Sequence, residues 1–404
     1  MTATPPRPSI PPARHGARLA AVRELLVDRG LQALLVGVGP DLRYLAGYDA
    51  IPLERLTMLV VTPDPHHPPM LLVPRLEEDP ASRSAAAVAG LVDVRTWEEA
   101  DDPHAVVAET VRTAVRTAAR TARRPSRDDD RPSIAVTDTL WASHLLRLQE
   151  VLPDCRFTVG PSVMGEIRIV KDLDEIALLR LAAHAADRVV DAIARGRLVD
   201  RTEAEVAREV RDRLVDEGHD SAEFAIVGSG PNSASPHHAA SDRRIGPDEP
   251  IVLDIGGPLS GYGSDVTRTL WVTGGESTGG PPAQFVGAYD VLRRAQAAAT
   301  AAVRPGASPA RIDAVARTII TAGGYGPAFI HRTGHGIGLE AHEEPYLVAG
   351  SEAPLRPGMA FSIEPGIYLA GRWGMRLEDI VVCGEDGPDV LNETDRSLRI
   401  AAGR

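Results

Sequence analysis

Apolar positions fall at helical spacing from Ala17 to Asp28, through Leu19, Val22, Leu25, Leu26 and Val27, until Gly30 stops the run. A strand is predicted over Ala33–Val38. Two more apolar runs, Leu56–Val61 and Met70–Val73, are separated by Thr-Pro-Asp-Pro-His-His-Pro-Pro, whose prolines forbid a continuous helix or a central strand, so this is a turn between strands. Helical patterns near Pro103–Ala122 and Leu140–Glu150 alternate with strands at Ile134–Val136 and Arg156–Val159, which predicts an α/β layer domain. Arg123–Pro132, charged and flanked by proline, reads as an exposed loop.

The pattern changes after Pro161–Val170. Lys171–Ala194 reads as one long amphipathic helix with Ile176, Leu179, Ala183, Val190 and Ile193 on a shared face. A second helix runs from Thr202, which forms a capping box with Glu205, to about Asp216. Short strands bounded by glycines follow Glu223, and further helices are predicted over Gln284–Val303 and Pro309–Ala322. The fold class expected is α/β (α+β) in two domains, with boundaries at 1–16 for a flexible tail, 17–160 for a smaller N-terminal domain and 161–404 for a larger C-terminal domain.

Composition narrows the chemistry. The 404 residues fit two domains at roughly 150 residues each, and 43% hydrophobic with 25% charged residues is enough to build real cores. Acidic residues outnumber basic ones by 56 to 44, so the net charge of −12 repels a phosphate backbone and argues against nucleic acid. Lys171 is the only lysine and follows no glycine loop, which removes the P-loop and leaves almost no room for a Schiff base. Cys155 and Cys383 lack metal or disulfide spacing and fit a reducing cytoplasm. No apolar run is long enough for a membrane helix, and the Pro- and Arg-rich first residues lack the apolar stretch of a secretion signal.

The candidate chemistry lies in two matching hairpins. Asp254 sits in Pro-Ile-Val-Leu-Asp-Ile-Gly-Gly, the most apolar strand, where an ionised carboxylate needs a compensating cation. After a turn over Gly256–Gly263, Asp265 shares a strand face with Thr267, Thr269 and Trp271. The second hairpin carries Glu364 in Phe-Ser-Ile-Glu-Pro-Gly and Glu378 in Met-Arg-Leu-Glu-Asp, on either side of Gly371–Gly374. Four converging carboxylates must protonate or bind metal, since lysine cannot neutralise them and Arg376 could pair with one, though not with all. Between the hairpins, His331, His335 and His342 are framed by glycines that allow close backbone approach. Four carboxylates and one imidazole suit Mn²⁺ best and tolerate Co²⁺, Zn²⁺ or Fe²⁺. Two such ions would polarise a carbonyl and make water nucleophilic at neutral pH, which describes a dinuclear hydrolase.

At Asp-Ile-Gly-Gly, Ser-Asp-Val-Thr-Arg-Thr, Thr-Gly-His-Gly-Ile-Gly-Leu-Glu-Ala-His-Glu, Ser-Ile-Glu-Pro-Gly and Met-Arg-Leu-Glu-Asp the chain resembles the pita-bread (M24) metallopeptidases. The likeness is to the branch of Xaa-Pro dipeptidase (prolidase) and Xaa-Pro aminopeptidase. It covers about Lys171 to the end, while the N-terminal domain resembles the family's creatinase-like domain more loosely. The resemblance implies two divalent ions, with Asp254 on one, Asp265 and Glu378 bridging, and His335 with Glu364 completing the second. It makes Glu364 the general base, gives His237 and His342 substrate and oxyanion contacts, lines the site with His331, and lets Arg376 contact substrate and orient a bridging carboxylate.

The implied reaction is hydrolysis of Xaa-Pro bonds in short proline-containing peptides, by a cytoplasmic homodimer without nucleic-acid or membrane partners. A dipeptidase is favoured because the N-terminal region is compact; Xaa-Pro aminopeptidase (aminopeptidase P) is the alternative. Methionine aminopeptidase usually lacks such an N-terminal domain, creatinase-like amidine hydrolysis works without metal, and a lyase activity on the same fold is a minority option. A non-catalytic peptide-binding module of this fold would normally have lost ligands, whereas all five are present.

Overall fold

The computed structural model describes residues 8–121, 131–274 and 280–401. Residues 123–130 of the expected loop and 1–7 of the expected tail lie outside them. The chain forms two compact units that meet in sequence at Arg168 and Ile169.

In the first unit α1 (Pro12–Asp28) leads through β1 (Leu31–Val36) and α2 (Pro40–Ala46) to β2 (Met58–Val61) and β3 (Met70–Pro74). The short helices α3 (Glu78–Ser82) and α4 (Ala85–Val88) precede β4 (Asp93–Trp97) and α5 (Pro103–Thr121). β5 (Ser133–Val136), α6 (Ala142–Val151), β6 (Arg156–Val159) and α7 (Pro161–Arg168) complete it. The strands form one mixed sheet in the order β4-β3-β2-β1-β5-β6. Leu35, Val60, Leu72, Ile134, Val107, Val111 and Leu148 join the sheet to α5 and α6 in one apolar core.

Two expectations change here. Helix α1 starts at Pro12, inside the stretch 1–16 expected to be a flexible tail. Proline suits a first helical turn, where no N–H is needed, and the helix is tied down because His15 Nδ1 and Arg18 donate to the Tyr44 carbonyl at 3.0 and 3.1 Å. Helix α7 packs on α1 and so falls with the first unit, whereas the sequence placed 161–168 at the start of the second.

The second unit opens with α8 (Leu173–Arg195) and α9 (Glu203–Asp216), each begun by a capping box, Asp172 with Glu175 and Thr202 with Glu205. β7 (Phe224–Ser229), β8 (Glu249–Leu259) and β9 (Tyr262–Val272) follow, then α10 (Ala283–Ala301) and α11 (Pro309–Ala322). The remainder is β10 (Gly334–Gly336), β11 (Glu343–Leu347), β12 (Ala360–Ile363), β13 (Gly366–Leu369), β14 (Trp373–Arg376), β15 (Asp379–Cys383), β16 (Pro388–Val390) and β17 (Arg399–Ala401). Two larger sheets result, β17-β9-β8-β7 and β11-β10-β12-β15-β16, with β13-β14 as a separate ribbon.

Strand alternation decides which side of each sheet is apolar. Ile251, Leu253 and Ile255 of β8 and Val266, Leu270 and Val272 of β9 pack beneath Val190, Ile193, Val206 and Val210 of α8 and α9. Asp254, Asp265, Thr267 and Thr269 therefore occupy the opposite face. On the second sheet Phe361, Ile363 and Val381 pack with Leu292, Ala295, Ile312 and Ala316 of α10 and α11.

The hairpins differ from expectation in where they turn. β8 and β9 stay paired from Glu249↔Val272 to Leu259↔Tyr262, so the turn is Ser260-Gly261 and Gly256 and Gly257 lie within the ladder. The second hairpin is split: β12 pairs β15 as far as Ile363↔Asp379, and the ribbon β13-β14 begins again at Gly366↔Arg376. Pro365 cannot donate to a ladder. Glu364 and Glu378 thus stand at a break in the hairpin rather than within its strands.

Candidate metal centre

The break and the paired face of β8-β9 bring five expected donors together. Asp254, Asp265 and Glu378 each offer an oxygen within 4.8 Å of the others, and a ring nitrogen of His335 with oxygens of Glu364 and Glu378 forms a second such group. His335 Nε2 lies 3.5 Å from Asp265 Oδ2 and 3.4 Å from Glu364 Oε1. His342 also comes within 4.8 Å of Asp265 and His335, and its ring centroid is 3.9 Å from that of His335.

Local backbone demands explain how His335 enters this crowd. A Cβ on Gly334 would stand 1.9 Å from the Ser362 carbonyl, and one on Gly336 would stand 2.2 Å from that of Glu344, so only glycine permits β10 between its neighbours. His335 N–H donates to Ser362 Oγ at 3.0 Å. Its Nδ1 donates to the Gly336 carbonyl at 3.1 Å, which leaves the Nε2 lone pair aimed at the carboxylates.

Uncharged side chains hold the acids. Thr267 Oγ1 donates to Glu378 Oε2 at 2.6 Å, and Ser362 Oγ donates to Glu364 Oε1 at 3.3 Å. Arg376 donates to Asp254, to Thr267 Oγ1 at 3.1 Å, to Tyr368 Oη at 2.7 Å and to the Pro236 carbonyl. Its guanidinium is buried, and it meets Asp254 directly and Glu378 only through Thr267. His331 donates from Nδ1 to the Arg332 carbonyl at 2.7 Å and meets Tyr368 Oη at 3.0 Å. His237 and His342 are exposed. His238 instead meets the buried Glu203 at 2.8 Å, where Ser229, Asn232 and Ser241 also donate. Burial alone would raise the Glu203 carboxyl, but these hydrogen bonds, led by Ser241 and His238, outweigh it and bring it to about 2. Thr267, Ser362 and Tyr368 were not singled out for these roles from the sequence; only Thr267 carried a signal, its shared face with Asp265.

The electrostatics fit a cation. Asp265 is 4% and Glu378 2% exposed. Burial first, then the charges of Glu378, Asp254 and Glu364, pushes Asp265 well above the ordinary carboxylate range. Glu378 rises for the same reasons, through burial, Glu364 and Asp254. Burial pushes Glu364 up to about 7, against the pull of Arg376. Burial and then His342 lower His335 to about 3, so it is neutral, as a metal ligand must be. Four carboxylates face the Arg376 guanidinium, with Arg332 as a weaker influence on Glu364, and divalent ions would supply the missing positive charge. The donor set, oxygen-rich with one imidazole, fits such ions.

Metal binding at these residues is therefore expected to release protons. Below about pH 7 the metal-free site holds protons on the raised carboxyls that must leave before the oxygens can ligate, while neutral His335 contributes none. Apparent affinity should fall about tenfold per pH unit for each proton released as the pH is lowered. Calorimetric Mn²⁺ titrations in two buffers of different ionisation enthalpy measure that number, and an affinity flat below pH 7 would contradict it.

Comparison with known proteins gives concordant likenesses. Residues 177–385 match the model of metallopeptidase family M24, and residues 18–170 match that of the creatinase/prolidase N-terminal domain. The chain is 42% identical over 388 residues to the probable dipeptidase PepE of Mycobacterium tuberculosis, covering 95% of this chain and 96% of that protein. It is 35% identical to the Xaa-Pro dipeptidase of Lactobacillus helveticus, over 88% of this chain and 91% of the relative. Among solved structures, a prolidase from Thermococcus sibiricus superposes with a TM-score of 0.84 at 31% identity, covering 96% of this chain and 99% of that one.

Proposed function

The chain belongs to metallopeptidase family M24, with a creatinase-like N-terminal domain and a pita-bread catalytic domain, and from that premise we propose that it hydrolyses Xaa-Pro dipeptides with two divalent ions. The observation that carries the reading is the convergence of Asp254, Asp265, His335, Glu364 and Glu378 around a deficit of positive charge. Proline specificity is supported by the relatives named Xaa-Pro dipeptidase.

In this reading Asp254, Asp265, His335, Glu364 and Glu378 would hold the two ions. Bound there, the ions would supply Lewis acidity to the scissile carbonyl and acidify a water. The Glu364 carboxylate accepts the proton of the attacking water and passes it to the departing proline nitrogen. His342, exposed against the His335 ring, and His237, exposed near His342 and His331, donate to the developing oxyanion, and His331 lines the site. Arg376 holds Asp254 and, through Thr267, steadies Glu378. Mn²⁺ is the proposed ion because oxygen donors predominate. The two cysteines are unpaired, which supports a cytoplasmic setting, and among the described residues no helix is long and apolar enough to cross a membrane. A homodimer is part of the proposal, and a monomer mass by light scattering would remove it.

Proline release from a panel of Xaa-Pro and Xaa-Pro-Yaa peptides, alongside metal analysis, tests the function. Turnover confined to the dipeptides is the expected result. Cleavage of the longer peptides would favour the aminopeptidase, and no metal-dependent release from either would defeat the proposal.

A further inference from the structure

The chain has one lysine among its 44 lysines and arginines. At every other such position a guanidinium serves; at Lys171 an ammonium is used, and its side chain is only 1% exposed. Lys171 immediately precedes Asp172, the N-cap of α8. Its backbone is fastened to the segment that leads into β12 and Glu364: Lys171 N–H donates to the Gly358 carbonyl at 2.9 Å, and Val170 bridges Met359. Gly358 has φ +89°, and a Cβ there would stand 2.7 Å from the Lys171 carbonyl, so this approach requires glycine.

From that anchor Lys171 Nζ donates to Glu343 Oε1 at 2.5 Å. Glu343 follows His342 and opens β11 opposite Gly336, the residue after His335. Its carboxylate also lies against the preceding turn, where a Cβ on Gly338 would stand 2.7 Å from Glu343 Oε1. Gly338 is itself pinned, its carbonyl accepting from Gly263 N–H at 2.8 Å. Residues 338–343 thus form a loop whose two ends come together at one carboxylate, which accepts from the buried Lys171 ammonium. The loop delivers the His342 ring to within 3.9 Å of His335.

We propose that Lys171 and Glu343 are positioning residues that hold the 338–342 turn so that His342 stays against His335 at the metal centre. The slot takes a compact ammonium; a planar guanidinium with its fixed fork of donors would displace the turn. The proposal rests on the reading of His342 as a residue that touches the reacting substrate.

The test uses full-length protein loaded with Co²⁺ and the variants Lys171→Arg, Lys171→Met, His342→Ala, Lys171→Met with His342→Ala, and Lys171→Met with Glu343→Leu. The last replaces both buried charges by apolar groups and so keeps the fold while removing the tether. Each change at 171 is expected to lower kcat roughly 10- to 100-fold with KM and cobalt stoichiometry unchanged, and Lys171→Met should add little to His342→Ala. A crystal structure of the Lys171→Met, Glu343→Leu protein should show the His342 ring withdrawn from His335. Wild-type kcat in the Lys171→Arg or the paired apolar variant, or losses from Lys171→Met and His342→Ala that multiply, would overturn the proposal. Wild-type kcat in His342→Ala would instead refute the reading of His342. Absence of any Xaa-Pro hydrolysis by the unaltered protein would refute the wider function. In either of those cases the His342–His335 ring contact in the paired variant still decides, its loss upholding the positioning role and its persistence overturning it.

Discussion

Replacing Asp265 by alanine is expected to lower kcat/KM on a Xaa-Pro dipeptide by at least about 10³-fold, roughly 4 kcal/mol of transition-state stabilisation. The size follows from its place. Asp265 belongs with Asp254 and Glu378 in one group of donors and with His335 and His342 in another, so its loss removes an oxygen from both halves of the site. The stability of the metal-free protein should move the other way. Asp265 is 4% exposed, faces three other acids and sits far above its ordinary pKa, so in the absence of metal its burial is a cost. Alanine removes that cost, and the chelated variant should melt no lower than the chelated wild type. What the variant should lack is the rise in Tm that Mn²⁺ produces in the wild type, since a ligand stabilises only the state that binds it. Melting curves with and without Mn²⁺, together with metal analysis, separate the two effects. A variant that still gains stability from the metal and still turns over substrate would show that Asp265 is dispensable to the centre.

Asp254 and Asp265 stood out in the sequence because a carboxylate in an apolar strand has no bland partner to hand and the chain has a single lysine, whereas His335 was singled out from His331 and His342 through the family resemblance. The faces of β8 and β9 followed from alternation alone, with Asp265, Thr267 and Thr269 opposite Val266 and Leu270. Helix α9 was fixed by its own capping box and α11 by Pro309 at its first position, both local signals. Other features depend on contacts remote in sequence. Gly256 and Gly257 look like a turn, yet they remain in the ladder because Ser264 and residues 221–223 come too close for any side chain there, and the chain turns only at Ser260-Gly261. Arg376 had a carboxylate two residues away in Glu378, but the fold brings it Asp254 from another sheet. Lys171 read as the beginning of α8, whereas it lies before the cap and is committed to Glu343. A propensity or period describes a neighbourhood in sequence; it cannot choose among partners that only the folded chain assembles.

Behind the metal centre lies the second large effect. Asp379 follows Glu378, is fully buried, and meets Arg268, 1% exposed in its side chain, at 2.7 Å. Arg268 also donates to the carbonyls of Thr267, Glu378 and Thr394, at 2.9, 2.5 and 2.8 Å. The other oxygen of Asp379 accepts from Gln296 at 2.8 Å and Arg396 at 2.5 Å. One carboxylate therefore joins β9, α10 and β15 and, through Arg268, fixes the backbone on which Glu378 and its partner Thr267 stand. Asp379→Ala leaves a guanidinium buried without its counter-charge, for which the expected loss of stability is about 3–5 kcal/mol. The exposed pair Arg83–Asp79, at 70% and 76% side-chain exposure, is the internal contrast. Breaking it by Asp79→Ala should change stability by less than about 1 kcal/mol, because water already solvates both charges. Urea denaturation of the metal-free proteins measures both. Because the Glu378 carbonyl is one of the atoms Arg268 holds, Asp379→Ala should also weaken Mn²⁺ binding roughly 10- to 100-fold in molecules that remain folded. Equal urea midpoints for the two variants would mean that the buried pair is compensated elsewhere, and unchanged Mn²⁺ affinity would mean that Glu378 is held without it.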